Sequence, residues 1–451
     1  MLTKEEAQKI IKKALNLSPA RATGVSIKSS TDFRTDFKGR SQVEQHRNEE
    51  MQIAIRVLHD DKMGYAVIDN TSSDAIIACC ESALRRARRE SHAHNIMPLS
   101  GRQSYYAVNG CFPVAADLLL QTHKEQAHHT LEYAADKGVA VSGRISSEKK
   151  SITIGNSQGL FGHQQLTNHV LSMDTRHQGY KNFSVACARD IKRIKGGKHV
   201  ENAVDAAFRG TDTASCTSGK YALILEPLAV WQLLSLLVYG GKKGYSQLSG
   251  EAFHQKSGFI ADARGKQIFS PNFTLSDDVY HPLHQGLPFD AEGMPRLPVL
   301  LIENGTPKNL VHSRASALGL CEEPTGHAAS WGNLNASIPS HLVMRGGESS
   351  LQKMVAGTRQ GIYISLFSHA EMSDPASLLI TAKAEDRCCH IADGKMAGRI
   401  SSVRLHKSLS GLLGAIIEAG QAYRVTKSIE DDSMVVPPIL ISEQDVEIDN
   451  P

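Results

Sequence analysis

The longest nearly unbroken apolar run, residues 223–239, limits most strongly how this 451-residue chain can fold. Glu226, Pro227 and Gln232 interrupt it, so it falls short of the roughly 20 apolar residues that a membrane span needs. It reads instead as two elements. Residues 221–225 form a buried strand. Residues 227–239 form a buried helix with Pro227 near its start, where a missing N–H is no loss. Such a pair needs a large core around it, and the length suffices for two or three domains.

The rest of the chain supports a soluble, cytosolic setting. Hydrophobic residues make up 41% and charged residues 22%, which excludes a disordered chain. Lys plus Arg is 50 and Asp plus Glu is 47, for a net charge of +3. That near balance gives no electrostatic case for a dedicated nucleic-acid binder, whose affinity comes largely from neutralising phosphates. The first 15 residues carry Lys4, Glu5, Glu6, Lys9, Lys12 and Lys13 and lack the apolar core of a secretory signal. The eight cysteines include no CxxC, and Cys79–Cys80 and Cys388–Cys389 are neighbours that strain to pair. A reducing, cytoplasmic compartment is expected, with no membrane partner.

Periodicity places a helix at the start, capped by Thr3, with Ala7, Ile10, Ile11, Ala14 and Leu15 on one face. Residues 51–58 alternate as a strand and residues 65–68 resume it after a turn, a hairpin signal. Helices are expected over 72–90, 115–138 and 202–209, and strands over 139–141, 151–155 and 169–174. Residues 210–218 are small, polar and poor in apolar side chains, so they are read as a linker between domains 1–209 and 219–451. In the second domain, residues 299–303 run into Asn304-Gly305, a strong hairpin signal. Strands are expected over 361–366 and 438–441, and a helix over 409–420.

Candidate chemistry is sparse. Twenty histidines invite a search for zinc, yet no HExxH or HExxxH occurs. His281 and His284 flank Pro282-Leu283 in a surface turn; His92 and His94 follow a basic helix end; His128 and His129 diverge around a helix. Gly155-Asn156-Ser157-Gln158-Gly159 matches GxSxG, but no helix follows the serine, so a turn between strands is expected. Cys388, Cys389 and His390 are contiguous; the plain reading is a strand with one cysteine buried and one exposed. Asp290 and Glu292 would face one side of an extended chain and could bind a cation or serve as acid and base. Equally, their carboxylates could accept backbone N–H bonds in a loop. Residues 240–244, with Lys242 and Lys243, resemble a helix C-cap more than a phosphate loop. The basic runs at Arg85–Arg89 and Lys192–Lys198 read as solvated surface.

Several segments in order carry a family resemblance. They are residues 51–58, Gly64-Tyr65-Ala66 and the helix to Arg89; Asn156-Ser157-Gln158-Gly159; and Phe289-Asp290-Ala291-Glu292-Gly293-Met294-Pro295. Then come residues 301–305, 310–317, Pro324-Thr325-Gly326-His327-Ala328 and 436–441. The chain resembles the TldD/PmbA, or modulator-of-gyrase, family over nearly its full length. The resemblance implies a two-domain α/β (α+β) architecture, an N-terminal α/β domain and a β-rich C-terminal domain, in a dimer around a central cavity. It also implies zinc peptidase chemistry on unfolded peptides in TldD-type members, which carry HExxxH on the helix after the first C-terminal strand and a Cys near the C-terminus. Here Ser235, Leu236 and Gly240 stand at the motif's two His and one Glu positions, and residues 427–434 contain no Cys. A hydroxyl, an alkyl group and a bare backbone offer no good zinc ligand and no general base.

The resemblance therefore implies a PmbA (TldE-type) subunit with no catalytic residue, metal or cofactor of its own, working beside a TldD-type partner that holds zinc. Asp290, Glu292, Gly293 and Asn304 become candidates for contact with peptide or partner. Residues 374–384 depart from the family's usual segment, which suggests a divergent branch. Two alternatives stand beside this one: a gyrase or toxin-system binding protein, and a homodimer with non-zinc chemistry at Asp290, Glu292 or Cys388.

Overall fold

The computed structural model describes residues 1–90, 96–209, 212–240, 245–330, 333–427 and 432–449, the side chains of 333–335 apart. His92, His94 and residues 241–244 lie outside them.

The first half is one antiparallel sheet covered by helices. Its strands are β1 (Ala22–Lys38), β2 (Gln42–His59), β3 (Lys62–Ile68), β4 (Ala140–Asn156), β5 (Phe161–His177) and β6 (Tyr180–Ala188), in the order β3-β2-β1-β4-β5-β6. Val25, Ile27, Phe33 and Phe37 alternate along β1 into the buried face. Helices α1 (Lys4–Leu17), α2 (Ser73–Arg89), α3 (Ala116–Asp136) and α4 (Gly196–Ala206) bury that face. Thr3 caps α1 in a reciprocal capping box with Glu6, and Ser72 caps α2. Lys28, Asp32, Arg34 and Asp36 line the opposite, polar face.

The strands are longer than hydrophobic alternation predicts. The short strands expected at 139–141 and 151–155 are the two ends of one strand, β4. β1 and β6, which the pattern does not predict, are full strands. Ser29, Thr31 and Thr35 occupy inward positions of β1, so the apolar signal fades although the pleat continues.

The second half holds two sheets around one core. One contains β7 (Gly219–Leu225), β14 (Gln360–Ile364), β15 (His369–Asp374), β16 (Leu379–Ala392), β17 (Lys395–Ser408), β18 (Ile416–Ala419) and β21 (Ile439–Asp449). It closes on itself, because β14 pairs with both β7 and β16. The other runs β10 (Thr306–Pro307), β9 (Val299–Glu303), β8 (Leu275–Asp277), β13 (Leu342–Met344), β20 (Met434–Val436), β19 (Tyr423–Val425). A short pair, β11 (Ala328–Ser330) and β12 (Asn333–Ser337), stands apart.

Helix α5 (Pro227–Tyr239) is sunk into this core, as the opening apolar run predicts. The smaller helices are α6 (Gly250–His254), α7 (Ile260–Ala263), α8 (Arg314–Leu320), α9 (Leu351–Ala356) and α10 (Leu409–Gly414). The long helix expected over 409–420 is therefore wrong. After α10 the chain turns into β18, where Ile416 is buried and Ile417 exposed in strand alternation. No helix among the described residues is long and apolar enough to cross a membrane.

Candidate functional site

Helix α5 carries Ser235 and Leu236 and ends at Gly240, the positions that the family resemblance matches to the zinc motif. Gln232 fixes its depth: its amide donates to the carbonyl of Phe367 (2.9 Å) and accepts from the Phe367 N–H (2.8 Å). The outward stripe that remains is Ser235, Leu236 and Tyr239, the last 60% exposed. Ser235 Oγ donates back to the Trp231 carbonyl at 2.7 Å. A Cβ at Gly240 would lie 2.4 Å from the Leu236 carbonyl oxygen and 3.1 Å from Met372 Sδ. One turn earlier, the Trp231 indole N–H donates to the Asp432 carbonyl (2.9 Å), and the Lys427 ammonium lies 5.7 Å from the Trp231 ring.

Lys427 and Asp432, from the stretch whose sequence lacks the expected Cys, thus meet α5 one turn before the positions without the expected His pair. These residues do not fit a zinc ion. The one hydroxyl on the stripe already donates to a backbone carbonyl, and the neighbouring side chain is an alkyl group. Among the described residues, no three His, Cys, Asp or Glu side chains gather where they could hold a metal.

Asp290 and Glu292 lie elsewhere, in a tight turn instead of an extended run. Asp290 Oδ1 accepts the N–H groups of Glu292 and Met294, both at 2.9 Å, and Oδ2 accepts that of Ala328 at 2.9 Å. Burial pushes its carboxyl up, against these donors and Arg296. Glu292 Oε2 accepts the Arg314 N–H (3.2 Å), and Oε1 lies 3.6 Å from that guanidinium. Burial and then Asp290 push Glu292 up; Arg314 opposes them.

Gly293 has φ +79°, and any Cβ there would strike Leu160 at 2.4 Å. The first half grips the turn from outside: Ser100 Oγ donates to the Glu292 carbonyl and Tyr105 Oη to that of Gly293, both at 2.8 Å. Asn304 forms the expected hairpin turn with Gly305, at φ +45° and +81°, and its N–H bonds to Thr274 Oγ1 at 3.1 Å. None of these four lines the large cleft between the halves.

Asp277, a residue the sequence did not single out, completes the network. Its Oδ1 lies 3.2 Å from His327 Nε2, and its Oδ2 accepts from the N–H of His341 at 2.9 Å and from that of Ser340. Burial alone would push this carboxyl up; His327, His341 and Arg296 outweigh it and hold it well below the usual range. Consecutive residues of one segment are thus pinned by two carboxylates, His327 by Asp277 and Ala328 by Asp290. That contact gives a physical reason for the two sequence-distant motifs to occur together.

The cysteine cluster is enclosed. Cys388 faces the main core and Cys389 a smaller one, so both are buried, where the sequence suggests one exposed. Burial pushes Cys389 up to about 12 and Cys388 higher still, the reverse of an activated thiolate. His390 is half-buried beside Tyr221. Ser157 sits in the β4–β5 turn, accepting the Thr23 N–H. His284 is fully buried, with Nε2 3.0 Å from the Leu342 carbonyl. Arg85, Arg86, Arg88 and Arg89 are exposed along α2.

Comparison with known proteins bears on this arrangement. Residues 218–447 match the PmbA/TldA metallopeptidase C-terminal domain, and residues 27–87 match PmbA/TldA metallopeptidase domain 1. A metalloprotease of Methanothermobacter thermautotrophicus is 25% identical over 40% of this chain, which spans only 42% of that relative's length. Metalloprotease PmbA of Escherichia coli O157:H7 is 21% identical over 97% of this chain and 96% of its own. The crystal structure of TldE from Thermococcus kodakarensis superimposes with a TM-score of 0.83 at 20% identity, covering 98% of this chain and 99% of that one. At that identity the last likeness shows the fold alone.

Proposed function

Since this chain belongs to the PmbA/TldA metallopeptidase family, we propose that it is the non-metal half of a two-subunit peptidase, paired in the cytoplasm with a TldD-type subunit that carries zinc. The observation that supports this reading is the outward stripe of α5. At the family's ligand positions α5 and its C-cap present Ser235, Leu236 and Gly240, and Lys427 and Asp432 lie beside α5 in a stretch whose sequence contains no Cys. This chain's residues would wall the shared cavity and steady an unfolded or precursor peptide. The partner would supply the Lewis acid that polarises the scissile carbonyl.

The test is reconstitution. The purified chain, a TldD-type subunit from the same genome, and their mixture are incubated with an unfolded polypeptide and stoichiometric zinc. Cleavage is expected with the mixture and not with this chain alone. Proteolysis by the isolated chain, or zinc held tightly at α5, would overturn the proposal.

A further inference from the structure

The polar face of the first sheet supports an inference that does not depend on the peptidase reading. Arg34 and Asp36 stand two apart on β1 and so share that face, and Arg144 lies directly across from Asp36 on β4. Asp36 joins the two arginines. Its Oδ2 accepts from Arg34 Nε at 2.6 Å, and its Oδ1 from Arg144 Nε at 2.7 Å. Burial alone would push this carboxyl up; the two guanidinium groups outweigh it and hold it below the usual range. It therefore stays ionised, and each of its oxygens fixes one guanidinium by a single N–H. The Nη groups of both arginines have no partner among the described residues.

Both arginines line a pocket of about 540 Å³ on this face. That volume lies within the roughly 300–1,000 Å³ of typical ligand sites. Ser146 and Ser142, across from Arg34 and Lys38, line it too, and their hydroxyls are unpartnered among the described residues.

The charges around the pocket do not balance. Its lining cations are Arg34, Lys38, Arg144 and Lys427, and its lining carboxylates are Asp36, Glu44 and Asp174. Asp174 is already taken by Arg387 at 3.0 Å, and Glu44 accepts from the Gln42 amide at 2.9 Å. Among the described residues, five cations thus meet three carboxylates, an excess of two. Arg387 adds a second sign of unmet demand. Its Nη1 is buried with no acceptor among the described residues, where a buried N–H normally has one. Its guanidinium packs 6.0 Å from the ring of Phe183, which also lines the pocket.

A guanidinium held at Nε presents its two Nη groups as a fork, the donor geometry that matches phosphate and carboxylate oxygens. Two forks suit a tetrahedral group with three free oxygens better than a planar group with two. The excess of two charges also matches a phosphate monoester, which carries about −1.5 to −2 at pH 7. We propose that this pocket binds a phosphate group, as the free ion or at the end of a phosphate monoester, held by the Nη groups of Arg34 and Arg144 with Lys38 beside them. Asp36 is a positioning residue, which aims both forks through their Nε atoms.

The probes are inorganic phosphate and phenyl phosphate, titrated separately into the full purified chain by calorimetry at neutral pH. Saturable binding of at least one is expected. Tighter binding of inorganic phosphate assigns the site to the free ion; tighter binding of phenyl phosphate assigns it to the ester. Phenylacetate, with one charge and a planar head, should bind at least tenfold more weakly than the better of the two. Arg34→Gln and Arg144→Gln together should weaken binding at least tenfold. Lys124→Gln, exposed on α3 across the sheet, should leave it unchanged. Should the double variant fail to fold, Lys38→Glu reverses the charge of an exposed side chain and should weaken binding at least fivefold. No saturable binding of either probe at millimolar concentration, undiminished binding by the double variant or by Lys38→Glu, or equal binding of phenylacetate overturns the proposal.

Discussion

Replacing Asp277 should reveal how much of the second half rests on one buried carboxylate. The side chain is 1% exposed and its partner His327 is fully buried. It also holds two backbone N–H groups, those of Ser340 and His341. Asp277→Ala would leave all three partners without this acceptor, His327 and His341 in the interior and Ser340 half-buried. Removing one member of a buried ion pair costs about 3–5 kcal/mol, and the orphaned N–H groups place the value toward the upper end. Asp277→Asn keeps an oxygen for the backbone groups and loses mainly the charge, so about 2 kcal/mol is expected, the scale of a charge-assisted bond.

The assay is urea unfolding followed by tryptophan fluorescence, to which Trp231 contributes from within the core. A pH series supplies the second half of the test. The folded-state pKa is held below the unfolded value, so the carboxylate's contribution is complete above about pH 4. It is lost as pH falls toward the folded value. The gap between wild type and Asp277→Asn should therefore shrink between pH 5 and pH 3. Losses below about 1 kcal/mol for both variants, or a gap that does not change with pH, would refute the reasoning.

Three further outcomes are expected. Installing the full motif by Ser235→His, Leu236→Glu and Gly240→His should not create a tight zinc site, because the new Cβ at 240 meets the Leu236 carbonyl at 2.4 Å; zinc titration by calorimetry checks this, and sub-micromolar binding would contradict it. Asp290→Asn should destabilise the chain by about 2–3 kcal/mol by placing an NH₂ against a backbone N–H, measured by the same unfolding assay. In the reconstituted peptidase it should leave kcat per folded molecule unchanged; a selective loss of kcat would mean that the carboxylate does chemistry. With iodoacetamide at pH 8, exposed Cys321 should be alkylated first and Cys388 and Cys389 only after unfolding, as peptide mapping would show; native labelling of Cys389 would refute the burial argument.

The sequence by itself determined the elements whose signals are local. Thr3 announces a helix start because a cap bonds to N–H groups three residues away; the sequence points to Ser73 or Asp74 as the cap of α2, and the structure has Ser72 instead. Asn304-Gly305 announces a turn because few other residues accept positive φ. Residues 223–239 announce a buried strand and helix because so many adjacent apolar side chains have nowhere else to go. The absence of an HExxxH motif is equally plain, since a motif is either written in a sequence or not.

Tertiary structure alone decided what depends on distant partners. Asp290 and Glu292 look like an acid–base pair in sequence. Only the fold shows one carboxylate spent on three backbone N–H groups and the other on Arg314. Asp277 carries no local signal, because its partners lie 50 to 64 residues away. The burial of both Cys388 and Cys389 depends on both faces of β16 being covered. β6 carries no local signal either: its small and polar residues lack alternation, and its place at the end of the sheet is set by pairing with β5. A side chain's type is written in the sequence, but its burial, its partners and therefore its chemistry are set by chain segments that come together only on folding.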